Sequence, residues 1–583
     1  MSTGTSSILL NGILGKKFVC KRGLRQGDPL SPLLYVLGSE LLQAVVNELM
    51  DQGLISRPID TYDQKFPIIQ YADDTLLIMP AERVQLANLK KALGKFTLST
   101  GLRINYDKSL MLPINVDDAN MTLLAAEFGC QVGTLPFTYL GLPLGTTRPR
   151  ICDLLPLVCN LERRLSSSSC FLAQGARLQL INSALSSMPL HFLCSLQLCP
   201  GLTNQLDRIL RQCLWRTYGD SEAPSRSLAA WELVCLPKKC GGLGVVNFQK
   251  KNAALLIKFL DKFYNKADVP WVQLIWHAYY QLKVPHAENM QGSFWWRDVL
   301  KLVDNFRAVA VAAHGKGDTM LFWLDKWNLQ NSTQPLKLRF ARLFSYVMDD
   351  CISVAQVFQT EDLSSLFQLP LSRAAYEEYL QLQVILQENP ATAENDVWTY
   401  SWGVKYTSAQ FYSKAHAQIS APNVFQWIWD SECTMTFKVF AWLLLRDRLN
   451  TRDLLKRRHW NVTDDKHCVL CPGRVYEDRK HLFFTCNFRQ RVWNYLQIEW
   501  IADNDIQVIM DHARRSFSEP FFVEVLIVAA RHIWLQRNGA IFENQRPSFA
   551  KWKGGFVHDI SLLQYRIKVK LRGKLMAWVL ALP

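Results

Sequence analysis

Acidic residues are the scarcer charge in this sequence. Across 583 residues, 51 Asp and Glu face 66 Lys and Arg, a formal net charge of +15. No Asp or Glu precedes Asp28. The positive excess favours a polyanionic partner, most simply nucleic acid, and no membrane partner is expected. Long uncharged runs are also missing. The longest stretch without Asp, Glu, Lys or Arg runs from Leu178 to Leu206, and Gln179, Asn182, Pro189, His191, Gln197 and Pro200 make it a poor membrane span. The start, Met1 to Ser7, is polar, with neither a basic segment nor an apolar one, so no secretory leader is expected. Cysteine is plentiful but odd in number, with 15 residues spread from Cys20 to Cys486. That pattern speaks against a disulfide scaffold and for reduced thiols, with metal as the role for clustered ones. Internal repeats of fixed period are absent, and low complexity is confined to Ser166–Ser169. The run Lys238-Lys239-Cys240-Gly241-Gly242-Leu243-Gly244 lacks the Gly-Lys-Ser/Thr ending of a phosphate loop, so a plain turn is expected there.

What is present is a chain with enough apolar residues, 49%, to bury several cores. Leu30 to Leu49 reads as a helix entered through Pro29 and Pro32. Ile68 to Met79 reads as two short strands around the acidic turn Tyr71-Ala72-Asp73-Asp74. Glu82 to Ser99 is helical, and Gly101 stops it. Tyr139 to Gly145 is a short apolar strand or turn. Leu154 to Trp215 is helical, broken at Pro189 and Pro200. A tryptophan-rich stretch follows, then an apolar helix from Phe437 to Leu445, a basic Cys/His-bearing segment, and a helical region from about Ser518.

The acidic turn carries the first chemistry. Two adjacent carboxylates at a hairpin tip repel each other unless a cation lies between them. Asp73 and Asp74 suit Mg²⁺ or Mn²⁺, hard ions that take one or two carboxylates plus substrate phosphates. In two-metal phosphoryl transfer one ion activates an attacking 3′-hydroxyl and the other steadies the leaving pyrophosphate. Upstream, Gly27 allows close backbone approach to a nucleotide and Gln26 offers an amide. Lys21, Arg22 and Arg25 can neutralise phosphate.

The second chemistry is a metal set. Cys468-x₂-Cys471 is followed by His481 and Cys486, three thiolates and one imidazole at a spacing that suits tetrahedral Zn²⁺. His467 and His459 are nearby alternatives to His481. Between Arg446 and Trp493 there are twelve Lys/Arg against six Asp/Glu. Within that stretch Arg457, Arg458, His459 and Trp460 could combine phosphate contact with base stacking, or form a solvated basic helix face.

The order of these segments resembles the palm of a reverse transcriptase from a LINE-type, non-LTR retrotransposon of the kind abundant in plant genomes. Gln26-Gly27-Asp28-Pro29 resembles its motif B, Tyr71-Ala72-Asp73-Asp74 its motif C, Gly101 to Ser109 its motif D, and Tyr139-Leu140-Gly141 to Gly145 its primer grip. The Cys468 to Cys486 segment, led in by Leu449 to Leu455, resembles the zinc-binding domain that follows the polymerase in plant elements. The resemblance implies an α+β chain. Its parts would be a partial palm of antiparallel hairpin plus helices with the primer grip (1–150), a helical thumb (151–225), an α-rich connector (226–395), a small zinc-binding module (396–500) and a helical tail (501–583). It implies RNA-directed DNA synthesis with an RNA template, a DNA primer or target and dNTPs, in the nucleus or cytoplasm. Asp73 and Asp74 would be the catalytic metal ligands and Lys108 a possible acid for the pyrophosphate. Arg25, Gln26, Gly27 and Tyr71 would line the nucleotide and template pocket, and Tyr139, Leu140 and Gly141 would hold the primer.

One part of the family pattern is missing. The third carboxylate, from motif A, lies upstream of motif B, where this sequence has no acid. The sequence therefore reads as a truncated polymerase with little or no synthesis of its own. The competing reading is a non-catalytic remnant that binds RNA or DNA through the zinc module and basic surface.

Overall fold

The computed structural model describes residues 5–19, 23, 27–58, 68–166, 172–215, 227–281, 283–285, 290–327, 334–460, 466–501, 503 and 505–583. These fall into two compact units. One comprises Met1–Pro149, Lys266–Leu282 and Gly292–Phe294. The other comprises Arg150–Asn265, Lys283–Gln291 and Trp295–Pro583. The whole is helix-rich, and every sheet among the described residues has two strands.

The first unit is built on the helices Ser31–Asp51 and Arg83–Thr100. Pro32 sits in the first turn of the former, where its missing N–H costs no hydrogen bond. Gly101, at φ +77°, ends the latter and returns its N–H to the Thr97 carbonyl. Leu42 and Val46 from one helix meet Leu89, Leu93 and Phe96 from the other, with Ile55 beside them. The spacing of 89, 93 and 96 is the apolar stripe of a helix lying on a core. The hairpin of Ile68–Tyr71 and Asp74–Leu77 rests on this core through Ile68 and Leu77, the two residues paired at its open end. A third helix, Asp118–Phe128, starts at Asp117, whose carboxylate accepts the Asn120 N–H at 2.9 Å. Leu110–Met111 and Gln131–Val132, on either side of it, pair in parallel. Phe137–Tyr139 and Leu142–Leu144 make a second hairpin.

Part of this unit is apolar and uncovered. Thr5–Ser6 pairs with Phe18–Val19, and Leu9–Leu10 with Ile13–Leu14. Ile8, Leu9, Leu10, Ile13 and Leu14 are all exposed, as are Leu33, Val36, Leu37 and Leu41 on Ser31–Asp51. That helix is the one described helix long and apolar enough to cross a membrane by length and composition.

In the second unit one apolar core gathers residues from Leu154 to Leu255 and from Val424 to Val579. The helices Ile151–Ser166, Gln174–Ser183, Leu190–Ser195 and Pro200–Trp215 follow in order. Gly175 lets Gln174–Ser183 approach Met435–Leu445, since a Cβ there would lie 2.3 Å from the Thr436 nitrogen. In the tryptophan-rich stretch, Ala310–Ala313 pairs with Val397–Tyr400, and Trp296, Trp323, Trp327 and Trp398 are fully buried. Two buried carboxylates tie its loops. Asp396 accepts the N–H groups of Gly315, Gly317 and Thr319 and the Thr319 hydroxyl at 2.7–2.9 Å. Asp325 accepts from Arg307 Nε at 2.6 Å and the Leu321 N–H at 2.7 Å. The glycine-rich run is a turn. Lys238–Cys240 forms one 3₁₀ turn, and the Gly241 carbonyl accepts from Trp442 Nε1 at 2.8 Å and Arg446 Nη2 at 2.9 Å. Three helices, Phe522–Phe542, Phe549–Leu562 and Val569–Leu580, close the chain.

Candidate functional site

The acidic hairpin is a two-residue turn. Tyr71 pairs with Asp74, leaving Ala72 and Asp73 at the tip. Ala72 is at φ +51°, the left-handed region a tight hairpin of this length requires of its first central residue. Alanine holds it at a cost, and a side chain from outside the hairpin helps. Tyr35 Oη, on Ser31–Asp51, donates to the Ala72 carbonyl at 3.0 Å. Both carboxylates are exposed, as is the Tyr71 ring. Neither Asp73 nor Asp74 has an ion-pair partner among the described residues. The Tyr35 phenol is pushed up, first by burial and then by the charge of Asp73. Tyr139 is pushed up likewise, first by burial and then by Asp74. The second hairpin therefore stands within electrostatic reach of the first.

That second hairpin turns on Leu140 and Gly141, at φ +50° and +79°. Two consecutive left-handed residues give the twist that two-residue hairpins favour. Its Tyr139 Oη is buried with no hydrogen-bond partner among the described residues. The remaining site residues are placed less closely. Arg25 and Gln26 lie outside the described residues. Gly27 is in an exposed turn at φ +87°, just before Asp28, whose carboxylate accepts the Leu30 N–H at 2.9 Å. Lys108 is exposed in a turn held by its own N–H, which bonds Asn105. No hydrogen bond or ion pair among the described residues links it to Asp73 or Asp74. Nor, among the described residues, does a third metal-ligating side chain join these two.

The Cys/His set is the opposite case, with Cys468, His481 and Cys486 buried and Cys471 half-buried. The ligand atoms of Cys468, Cys471, His481 and Cys486 all lie within 4.8 Å of one another. Cys468 Sγ and Cys486 Sγ are 3.9 Å apart, and Cys471 Sγ lies 3.4 Å from His481 Nε2. A tetrahedral zinc with bonds of about 2.3 Å to sulfur and 2.0 Å to nitrogen has edges of roughly 3.8 Å and 3.5 Å. The donor set and spacing fit Zn²⁺. The loop is pinned by a bridge between His467 and Tyr476, with the Cys468 N–H on the Val475 carbonyl at 2.8 Å. His481–Thr485 is a single π turn that brings His481 and Cys486 to the same side. Thr485 Oγ1 lies 3.3 Å from His481 Nδ1, which leaves Nε2 for the metal. Contact with the Cys468 thiol holds the Cys486 thiol below its usual range, and the N–H groups of Phe488 and Arg489 add to it. Exposed His467 and His459 stand outside the set.

Comparison with known proteins follows the same two places. Residues 3–144 match the family described as reverse transcriptase (RNA-dependent DNA polymerase), and residues 406–493 match the family described as zinc-binding in reverse transcriptase. Over 115 residues the chain is 29% identical to the retrovirus-related Pol polyprotein of the type-1 retrotransposable element R2 from Popillia japonica. The chain is thus similar, over these two segments, to the reverse transcriptases of retrotransposons and their zinc-binding domain. The R2 match covers 20% of this chain and 15% of that polyprotein. A protein of Arabidopsis thaliana named for ribonuclease H is 24% identical over 346 residues, covering 55% of this chain and 52% of its own. An uncharacterized mitochondrial protein of the same plant is 35% identical over 68 residues, 12% of this chain and 56% of its own. The chain thus spans about half, or less, of the curated relatives it matches.

Several arginines of the basic stretch near the zinc set have partners within the chain. Arg457 is spent on Asp453 and Asp447, at 2.7 and 2.8 Å. Arg458 donates to the Ser227 and Leu228 carbonyls and lies over the Trp460 ring. Arg452 and Arg479 bond backbone carbonyls. Two lysines the sequence did not single out stand together instead. The exposed Lys456 has its pKa pulled down, first by contact with the Lys466 side chain and then by that neighbour's charge.

Proposed function

We propose that this chain carries the chemistry of an RNA-directed DNA polymerase of a LINE-type retrotransposon, but makes little or no DNA by itself. The observation that supports it is the exposed Asp73-Asp74 tip within the segment matched to reverse transcriptases, with no third carboxylate joined to it among the described residues. Asp73 and Asp74 would hold the divalent ions, which when bound activate a 3′-hydroxyl and neutralise the departing pyrophosphate. Phosphoryl transfer of this kind rests on positioning and charge stabilisation, so a missing ligand arm weakens both metal occupancy and geometry. Tyr35 fixes the backbone that presents the two carboxylates. Tyr139, beside Asp74, would bear on the primer end. Lys108 would serve as the acid for pyrophosphate. Arg25, Gln26, Gly27 and Tyr71 would bound the nucleotide and template.

The second reading, a nucleic-acid-binding remnant, is favoured by the other unit. Cys468, Cys471, His481 and Cys486 would hold zinc, and the neighbouring ammonium groups of Lys456 and Lys466 would donate to one phosphate between them. The two readings separate in one preparation. Primer extension on an RNA template with Mg²⁺, against an Asp73→Asn/Asp74→Asn control, reports synthesis. Salt-dependent RNA or DNA binding by Lys456→Ala/Lys466→Ala reports the basic surface. Loss of both lysines should lower affinity and flatten the salt slope by about 2.

A further inference from the structure

We propose that Arg537 is a positioning residue of the metal centre, acting through Glu477, so that the zinc module is completed by the helix Phe522–Phe542 beyond the matched zinc-binding segment. The proposal rests on the zinc reading above. Glu477 is fully buried and stands in the loop that runs from Cys471 to His481. Arg537 is 2% exposed and reaches it from Phe522–Phe542. Nη2 lies 2.7 Å from Oε1, and Nε lies 3.1 Å from Oε1 and 3.4 Å from Oε2. This is a fork gripping a carboxylate, a geometry a lysine cannot reproduce.

Glu477 passes the grip to both sides of the metal set. Its N–H bonds the Lys466 carbonyl, two residues before Cys468, at 2.9 Å. Its Oε1 also accepts the Arg452 N–H at 3.0 Å, and its carbonyl the Asp453 N–H at 3.1 Å. The next residue, Asp478, accepts the His481 N–H at 2.6 Å and the Leu482 N–H at 3.0 Å, and so starts the π turn. The same helix backs that turn a second time. Trp534 stacks on Phe483 at 6.4 Å between ring centres and 23° between planes, and Arg537 lies 4.7 Å over the Trp534 ring. One helix thus sets the loop before His481 and the residue midway between His481 and Cys486.

The test uses the full chain loaded with zinc. Zinc per chain is measured first, and a parent that holds none overturns the zinc reading and this proposal with it. Zinc transfer to a chromogenic chelator is then timed. Arg537→Gln should release zinc about tenfold faster or more, the size of outer-shell effects on metal affinity. His532→Asn is the control, since His532 sits on the same helix but pairs with Asp559 at 2.9 Å. It should leave the release rate unchanged. Parental kinetics in Arg537→Gln, or equal acceleration in His532→Asn, would overturn the proposal. Should Arg537→Gln fail to fold, hydrogen exchange on the parent decides. Removing zinc should raise exchange across 531–538 as well as 476–486, and a change confined to 466–490 would overturn the proposal.

Discussion

Glu477 and Arg537 are 0% and 3% exposed at their side chains, so each is the main partner the other's charge has. Replacing Arg537 by Gln leaves a buried carboxylate with one strong donor, the Arg452 N–H at 3.0 Å. Breaking a buried pair from one side costs about 3–5 kcal/mol, because the remaining charge is uncompensated. The surviving donor puts this case near 3 kcal/mol. Glu477→Gln leaves the guanidinium with the Asn450 carbonyl at 3.2 Å and Asn538 Oδ1 at 3.0 Å. Its cost should be about 2–3 kcal/mol on the same ground. Independent effects would sum to about 5–6 kcal/mol. The double variant, Glu477→Gln/Arg537→Gln, holds no buried charge and can bond amide to amide, so it should lose only about 2–3 kcal/mol, a coupling of about 3 kcal/mol. Urea unfolding followed by tryptophan fluorescence, with zinc in excess throughout, measures all four states of the cycle. Additivity of the two single changes within about 0.5 kcal/mol would refute the reasoning.

Cys486→Ser should lose stoichiometric zinc and its cobalt-substituted thiolate absorption, while Cys351→Ser, outside the set, should change neither. Gly242→Ala should destabilise the second unit by about 3 kcal/mol or more in thermal unfolding, because the new methyl would lie 2.0 Å from the Leu236 carbonyl oxygen. Asp207 supplies a pH test. Burial first, opposed by Trp231 and Arg211, raises its carboxyl from 3.8 to about 6. A raised carboxyl favours folding below its unfolded pKa, and that advantage is lost as pH rises through the folded one. Stability should therefore fall between about pH 4 and 6 by roughly 2–3 kcal/mol. Asp207→Asn should gain that amount over the parent at pH 7 and nothing at pH 3.5, and equal stability at both pH values would contradict the assignment.

Local chemistry was legible and distant partnerships were not. The Asp73-Asp74 turn, the stop at Gly101 and the Cys468–Cys486 ligand set are short-range patterns, and each is visible within twenty residues. Tyr35 on the Ala72 carbonyl, and Glu477 with Arg537, join residues 37 and 60 positions apart with no periodicity to announce them. The parallel pairing of Leu110–Met111 with Gln131–Val132 is hidden for the same reason, since two-residue strands carry no alternation. The basic stretch shows a different limit. Composition counts arginines but not their internal partners, so Arg457 and Arg458 looked available for phosphate. The Asp453–Arg457 pair sits at i, i+4 on one helix and was within reach of the sequence. The loop through Gly315, Gly317 and Thr319 is gathered by Asp396, 77 residues beyond Thr319, a separation that no local pattern announces.

The central claim is that the acidic hairpin is built as a polymerase site yet lacks what synthesis needs. Primer extension on an RNA template with Mg²⁺, run on the purified chain beside Asp73→Asn/Asp74→Asn, tests it most directly. The account predicts no extension above the control while zinc-dependent, salt-sensitive RNA or DNA binding persists in the same preparation. Template-dependent extension that vanishes in the control would contradict it.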